Sequence, residues 1–319
     1  MRSLYPPIEP HAVHRLEVGG GHRIYVEECG NPHGVPVVFL HGGPGSGCKA
    51  YHRCFFDPMR YRIILLDQRG AGRSTPRGHL RHNTTAHLVA DLERVREVLG
   101  IERWLLFGGS WGAALALIYA QTHPERVSGL ILRGAFLARK VDVDWFVHDG
   151  ANRIYPESWE RFLAHFGLDE HKHLARALYR RLTGPDELER QRAAREWWLW
   201  SSRVTLGDAF IAEANDVPPP GTVDQSRIEL HYAVHRYFIR EGQILMDCHR
   251  IEHLPAILVH GRKDLVCPPE SAWTLHRRLP RSELRMLPNA GHISAGEEMI
   301  DALVTAADEI LLRISPTAA

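Results

Sequence analysis

A serine set between glycines is the first residue of this chain that could do chemistry. Residues 108–112 read GGSWG, which places Ser110 in a G-x-S-x-G pattern between an apolar run, WLLF, and a helix-like segment, AALALIYA. In a strand–turn–helix context, such a pattern holds a serine hydroxyl above a sheet on a strained turn. The pattern therefore predicts a nucleophile for acyl transfer, and an inactive glycine-rich turn is the alternative.

A serine hydroxyl is a weak nucleophile until a base removes its proton, and a carboxylate must orient that base. In proteins with this serine turn, the acid and then the histidine follow later in the chain, each after a strand. Asp264 follows the run AILVHG, and His292 follows ELRMLP. Alone, each also fits a turn-forming aspartate or a solvated histidine. Their order predicts a triad with Ser110, whereas Asp67 precedes the serine and is expected to fix a loop.

Acyl transfer also requires N–H groups that stabilise negative charge on the substrate carbonyl oxygen. The residue after the nucleophile, Trp111, can donate one, and a glycine-rich loop after an early strand can donate the other. The loop HGGPG at residues 41–45 fits that place. It lacks the G-x-G-x-x-G spacing of dinucleotide-binding turns. We predict an oxyanion hole at Gly43 and Trp111 and a structural role for His41.

The 21 histidines raise the alternative of a metal site. The pairs His231/His235 and His249/His253 have i,i+4 spacing, which places both rings on one helix face. Neither pair contains the glutamate of an H-E-x-x-H motif, and no third ligand stands nearby in sequence. We predict no metal and no cofactor.

The elements that must position these residues alternate between apolar strand-like runs and helix-like segments, up to about residue 136. Such runs predict a mostly parallel sheet flanked by helices. Residues 137–249 instead hold long helical stretches, with a tryptophan cluster at 197–200 that is expected to form their core. The strand pattern then returns. We therefore expect an α/β core domain over residues 1–136 and 250–319, interrupted by an all-helical cap domain over residues 137–249.

Composition narrows the function classes. In 319 residues, 39 Lys and Arg balance 38 Asp and Glu, so the net charge of +1 disfavours nucleic acid and anionic membranes as partners. The N-terminus lacks the pattern of a signal peptide. Five scattered cysteines without a C-x-x-C pair suit reduced thiols better than a disulfide framework. We expect a cytoplasmic protein of unknown oligomeric state.

The chain resembles the proline iminopeptidases, serine enzymes of the α/β-hydrolase fold that need no metal. The matching stretches extend over nearly the whole chain: LYPPIEP, FLHGGPG, YRIILLDQRGAGRSTP, NTTAHLVADLERVR, FGGSWGAALAL, LRGAFL, SRIELHY, GRKDLVCP and AGH. The resemblance implies the triad and oxyanion hole already described, and a helical cap over the site. It also implies a small peptide or amide substrate with a free amine, held through carboxylates in the cap.

The resemblance places Glu229 at one of two cap glutamates that bind the substrate amine. The position of the second, directly after a W-x-x-W pair, is occupied by Ser201. Phe136 and Cys267 match positions of the proline-ring pocket. Val147, Lys263 and Ile293 depart from the family pattern close to the site. Glu196 lies about 140° around the helix from position 201, and Asp208 would lie on the same face about 10 Å further along.

These residues leave three functional hypotheses. The first is release of N-terminal proline, or a related amine-bearing residue, through an acyl-enzyme. The second keeps the triad but redirects it to another small amide or ester. The third is a binding protein that retains the fold without catalysis, which a complete triad disfavours.

Overall fold

The computed structural model describes residues 1–211 and 216–314. Within these ranges, one sheet contains the strands β1 Ala12–Glu17, β2 Arg23–Gly30, β3 Val35–Leu40, β4 Tyr61–Asp67, β5 Trp104–Gly109, β6 Val127–Arg133, β7 Ala256–Gly261 and β8 Ser282–Leu287. Their order is β1-β2-β4-β3-β5-β6-β7-β8. Strands β3 to β8 are parallel, while β2 pairs antiparallel with both β4 and β1. The predicted mostly parallel sheet is confirmed.

The helices of the described residues are α1 Thr85–Val98, α2 Trp111–Thr122, α3 Lys140–Val147, α4 Pro156–Leu163, α5 Leu174–Thr183, α6 Glu187–Leu206, α7 Thr222–Val234, α8 Gln243–Met246, α9 Pro269–His276 and α10 Glu297–Ile314. Leu88, Leu92 and Val95 lie on one face of α1 and pack with α2 against one side of the sheet, as their spacing predicts. Helix α10 covers the opposite side. The parallel strands are therefore buried on both faces.

Strand β1 lacks the apolar run that marks the parallel strands in the sequence. Its residues alternate between half-buried and exposed along AVHRLE, because it lies at the edge of the sheet. An edge strand buries little apolar surface, so its hydrophobic pattern is weak.

The expected helical segment contains a core of its own. Trp159, Phe162, Trp197 and Trp200 are at the centre of an apolar cluster that is separate from the two clusters beside the sheet. The described part of residues 137–249 contains helices and turns and no strand. Toward its end the segment joins the larger core, since Tyr232, Tyr237, Ile244 and Cys248 pack in the cluster that includes α1 and α2. The boundaries at 137 and 249 stay a prediction.

Two further features concern the chain as a whole. All five cysteines are buried and free. No helix in the described ranges combines the length and apolar character needed to cross a bilayer.

Candidate active site

Ser110 occupies a sharp turn between β5 and α2. Its φ and ψ are 57° and −122°, in the left-handed half of the backbone map that a residue with a Cβ rarely adopts. The turn is held by a hydrogen bond from the Ser110 N–H to the Arg133 carbonyl (2.9 Å), at the end of the neighbouring strand. The chain reverses direction at this point, so the serine side chain projects from the carboxyl edge of the sheet.

The neighbouring glycines are required because other backbone lies against them. A Cβ at Gly108 would overlap the Gly112 carbonyl, and a Cβ at Gly112 would overlap the Leu40 carbonyl of the adjacent strand. Substituting either glycine would force the strand and helix apart. The expectation that these glycines make room for the turn is confirmed.

Asp264 and His292 meet on the loops that follow β7 and β8. His292 Nδ1 lies 2.7 Å from Asp264 Oδ2, and both residues are buried. Asp264 Oδ1 accepts hydrogen bonds from the N–H groups of Val266 (2.9 Å) and Cys267 (2.8 Å). Burial by itself would raise the pKa of Asp264, but His292 and these donors hold it below its usual value. The carboxylate is therefore ionised and fixes the orientation of the imidazole.

Two residues that sequence reasoning missed support this pair. His260, inside β7, accepts a hydrogen bond from the Ala135 N–H at Nδ1 (3.2 Å), and its Nε2 lies 2.8 Å from the Cys267 carbonyl. Burial lowers the pKa of His260, so the ring is neutral and donates from Nε2. Arg133 donates from Nη1 to the His292 carbonyl. Both residues lie in strand-like apolar runs of the sequence. A polar side chain inside such a run is the only sequence signal that could have indicated a supporting role at the site.

Ser110 and His292 line one cavity, but within the described ranges no hydrogen bond joins their side chains. The buried Cys267 thiol lines the same cavity. Catalytic hydrogen bonds commonly tighten only when substrate is bound. The two side chains must therefore move together before His292 can accept the serine proton.

The predicted oxyanion donors lie on either side of Ser110. Trp111 begins α2, so no intrahelical carbonyl can accept its N–H. Its side chain is buried away from the cavity and donates to Gln68 Oε1 (2.9 Å). Gly43 lines the cavity with φ of 109°. His41 holds this loop, because its Nε2 accepts the Gln68 N–H (3.0 Å) and its carbonyl accepts the Gln68 amide (2.8 Å).

The cavity has a volume of about 490 Å³ and lies between the carboxyl edge of the sheet and the helical segment. The sheet side contributes Gly43, Ser110, Phe136, Cys267 and His292, and the helical side contributes Phe146, Val147, Trp197, Trp198, Ser201 and Glu229. Tryptophans of the cluster at 197–200 thus form both the core of this segment, as expected, and part of the cavity wall.

Glu229 presents a carboxylate to this cavity. Its Oε2 accepts a hydrogen bond from Trp197 Nε1 (2.7 Å), and its Oε1 accepts one from Gln225 Nε2 (2.8 Å). Both donors are neutral, and no Lys, Arg or His of the described residues forms an ion pair with Glu229. Burial raises the pKa of Glu229, although the two hydrogen bonds oppose the shift. The cavity therefore contains an acidic group that lacks a cationic partner.

Comparison with known proteins fits this arrangement. The family described as "alpha/beta hydrolase fold" matches residues 35–298. The proline iminopeptidase of Xylella fastidiosa (strain 9a5c) is 48% identical over 315 residues, covering 98% of this chain and 100% of that protein. The chain belongs to the proline iminopeptidase family of α/β hydrolases. The proline iminopeptidase of Arabidopsis thaliana is 45% identical, covering 97% of this chain and 82% of that protein.

Solved structures agree with the α/β-hydrolase fold. An alpha/beta fold family hydrolase from Bacillus anthracis str. Sterne matches 93% of this chain and 98% of its own, with a TM-score of 0.61 and 19% identity. A proline iminopeptidase-related protein from Thermus thermophilus matches 99% of both chains, with a TM-score of 0.56 and 25% identity.

The residues expected to bind the substrate of a proline iminopeptidase converge on the cavity. Phe136, Cys267, Glu229 and Ser201 all line it. Ser201 is the position at which the resemblance implies a second glutamate, and its hydroxyl donates to the Trp198 carbonyl (3.2 Å). The helical segment of this family member therefore contributes a hydroxyl where a second carboxylate is expected.

Neither neighbouring acid replaces that carboxylate. Glu196 is bound by Arg195 (2.8 Å) and by His165 (3.1 Å) and lies outside the cavity lining. The expectation that Asp208 continues the helix face of Ser201 is wrong. Helix α6 ends at Leu206, because Gly207 takes a φ of 61° that terminates the helix. Asp208 belongs to the following turn and interacts with Tyr155.

The residues weighed as alternatives have structural partners. Asp67 accepts hydrogen bonds from the Cys48 N–H (2.7 Å) and from Arg73 Nε (2.8 Å), as a loop-fixing role predicts. His231 Nε2 lies 3.0 Å from the Asn83 carbonyl. Within residues 1–211 and 216–314, no group of three or more His, Cys, Asp or Glu side chains is placed to hold a metal ion.

Proposed function

We propose that this protein is a serine aminopeptidase that releases N-terminal proline, or a closely related residue with a free amine, from short peptides. The observation that carries the proposal is Glu229, which shares a cavity with Ser110 and has only neutral donors around it. Withdrawing a charge from water without a partner is unfavourable. A substrate ammonium group would provide the missing opposite charge.

The reaction follows from the groups around Ser110. Its Oγ attacks the scissile carbonyl carbon while His292 Nε2 takes the hydroxyl proton. Asp264, bonded to Nδ1, keeps Nε2 unprotonated beforehand and stabilises the imidazolium that forms. The N–H groups of Gly43 and Trp111 would donate to the carbonyl oxygen as it becomes negative.

Collapse of the tetrahedral intermediate completes acylation. His292 returns its proton to the leaving nitrogen, the C–N bond breaks, and the prolyl group remains as an ester of Ser110. Water then attacks the ester carbonyl with His292 again as the base, and the serine is regenerated. Glu229 contributes by holding the ammonium so that the carbonyl lies over Ser110, which is a positioning effect.

Ser201 favours a second candidate function. With one amine-binding carboxylate in place of two, the same triad would act on other small amides or esters. Val147 and Ile293, which depart from the family pattern, also line the cavity and change the surface that a substrate meets. This candidate keeps the acyl-enzyme chemistry and changes only the substrate.

A panel of chromogenic substrates distinguishes the two functions. A prolyl aminopeptidase should cleave prolyl arylamide and reject N-acetylprolyl arylamide, because acetylation removes the cation that Glu229 would bind. Equal cleavage of both, or cleavage of simple esters alone, would favour the second candidate. A fluorophosphonate probe that failed to label Ser110 would support the non-catalytic alternative.

Three further assignments belong to this proposal. We propose that residues 137–249 act as a cap over a core formed by residues 1–136 and 250–319, since that segment supplies one wall of the cavity. We propose a cytoplasmic location, which is supported by the five free cysteines. The proposed partners are small peptides or amides with a free amine.

A further inference from the structure

The cavity contains charges of both signs, and two of the charged groups, Asp142 and Arg133, have partners. Asp142 pairs with Arg139 (2.7 Å). Arg133 donates to the His292 carbonyl and lies where a side chain at Gly109 would otherwise extend. Neither group is therefore open to a substrate in the way that Glu229 is.

Lys49 is the positive counterpart of Glu229. It lines the cavity, its side chain is exposed, and no Asp or Glu of the described residues forms an ion pair with it. The nearby rings of His41 and His52 add no positive charge. Burial lowers the pKa of both, that of His52 to about 3. The cavity thus presents one acidic group without a cationic partner, Glu229, and one exposed basic group without an acidic partner, Lys49.

The two groups come from different elements of the cavity wall. Glu229 lies on α7, within the helical segment. Lys49 precedes a short 3-10 helix, Ala50–Phe55, that adjoins the His292 loop, since Tyr51 Oη lies 3.3 Å from Ser294 Oγ. His292 must protonate the leaving nitrogen, so the leaving group lies beside that loop. Lys49 is therefore on the leaving-group side of the cavity.

From this arrangement we propose that Lys49 binds the C-terminal carboxylate of the substrate, which makes the enzyme selective for short free peptides, dipeptides above all. The inference rests on the proposed aminopeptidase function and adds the recognition of the far end of the substrate. A short peptide is a zwitterion, with its ammonium at Glu229 and its carboxylate at Lys49. In a dipeptide three bonds separate the scissile carbon from the carboxylate carbon, a span of at most about 4 Å.

Longer chains would weaken this contact. Each added residue moves the carboxylate up to about 3.5 Å further from Ser110, beyond the reach of a side chain anchored beside the oxyanion loop. The backbone of Lys49 is held in place, because its N–H donates to His52 Nδ1 (3.0 Å). The contact between Lys49 and the substrate carboxylate would therefore favour short peptides over longer ones.

The test compares peptides that differ only at the C-terminus. The kcat/KM of the wild-type enzyme is measured for Pro-Gly, Pro-Gly amide, Pro-Gly-Gly and prolyl arylamide. We expect kcat/KM for Pro-Gly to exceed that for Pro-Gly amide by about fivefold. This ratio should fall at high salt, as for an exposed ion pair. In Lys49→Gln the ratio should approach unity, while hydrolysis of the amide and the arylamide stays unchanged. Lys49→Glu should reverse the preference.

Controls separate this proposal from the proposed function. Lys172→Gln removes an exposed lysine of the helical segment outside the cavity and should preserve the wild-type ratio. Equal rates on Pro-Gly and its amide in the wild type, or an unchanged ratio in Lys49→Gln, would overturn the role of Lys49. Either result would leave the aminopeptidase function intact if prolyl arylamide is cleaved. Absence of prolyl arylamide hydrolysis would refute the function itself.

Discussion

Replacing Glu229 by glutamine removes a negative charge and almost nothing else. The side chain keeps its shape, and its carbonyl oxygen can still accept the hydrogen bond from Trp197 Nε1. The Gln225 amide, which now donates to Oε1, can rotate to accept a hydrogen bond from the new amide group. The variant therefore isolates the charge that is proposed to bind the substrate ammonium.

The size of the effect follows from burial. Removing one partner of a buried, hydrogen-bonded charge pair costs about 2 to 5 kcal/mol. Glutamine retains a neutral hydrogen bond, so the lower part of that range applies. Because about 1.4 kcal/mol corresponds to a factor of ten, kcat/KM for prolyl arylamide should fall by about 30- to 300-fold.

The same substitution should raise thermal stability. Burial raises the pKa of Glu229, so the folded protein favours the protonated form more than the unfolded chain does. The stabilisation that comes from this raised pKa is fully present at pH values below the pKa of the glutamate in the unfolded chain. It is lost as the pH rises through the pKa of Glu229 in the folded protein. At neutral pH the ionised group destabilises the fold, and Glu229→Gln should melt at a higher temperature. The difference should shrink in acid.

Two assays and a matched control complete the experiment. Hydrolysis of p-nitrophenyl acetate, which lacks an amine, should change by no more than about twofold in Glu229→Gln. Glu196→Gln alters a glutamate of the same helical segment that lies outside the cavity, and it should retain wild-type prolyl arylamide activity. Activity of Glu229→Gln within about threefold of wild type would refute the assignment of Glu229 as the amine site. A lower melting temperature would refute the electrostatic argument.

Three other predictions concern single residues. Ser110→Ala should lower kcat by a factor on the order of 10⁴ or more without unfolding the protein, and near wild-type turnover would exclude Ser110 as the nucleophile. Ser201→Glu should increase kcat/KM for prolyl arylamide by supplying a second carboxylate, whereas no increase would mean that the cavity binds the amine in another way. Asp91→Asn leaves the buried guanidinium of Arg69, bound at 2.6 and 2.7 Å, without its counter-ion. Its free energy of unfolding in urea should fall by about 3 to 5 kcal/mol, and a loss within experimental error would contradict a coupled ion pair.

Local sequence was enough to predict the serine turn. A strand, a strained turn and a helix follow one another within a few residues, and the overlaps that would occur at Gly108 and Gly112 explain why those positions are glycine. The order of Asp264 and His292 after later strands also predicted that they would come together. In a parallel sheet, the loops after the strands meet at one edge, so topology alone brings such residues close.

Other parts of the site could not be predicted because they depend on contacts between distant segments. The donors to Glu229 come partly from another helix, since Trp197 lies on α6. His260 and Arg133 appear in sequence as polar interruptions of strands, and only their partners show that Arg133 holds the His292 backbone and His260 the loop that contains Asp264. The prediction for Asp208 was wrong because the end of α6 depends on the backbone conformation of Gly207.

The sequence by itself therefore determined which residues are proposed to do the chemistry, a serine with its acid and base, and the sheet that brings them to one edge. These features depend on residue type, short-range sterics and strand order, all of which can be read from the amino-acid sequence. Only the tertiary structure decided the electrostatics of the cavity. Whether a charged group is neutralised depends on what folds against it, and this is why Glu229 and Lys49 remain open while Asp142 and Glu196 are paired.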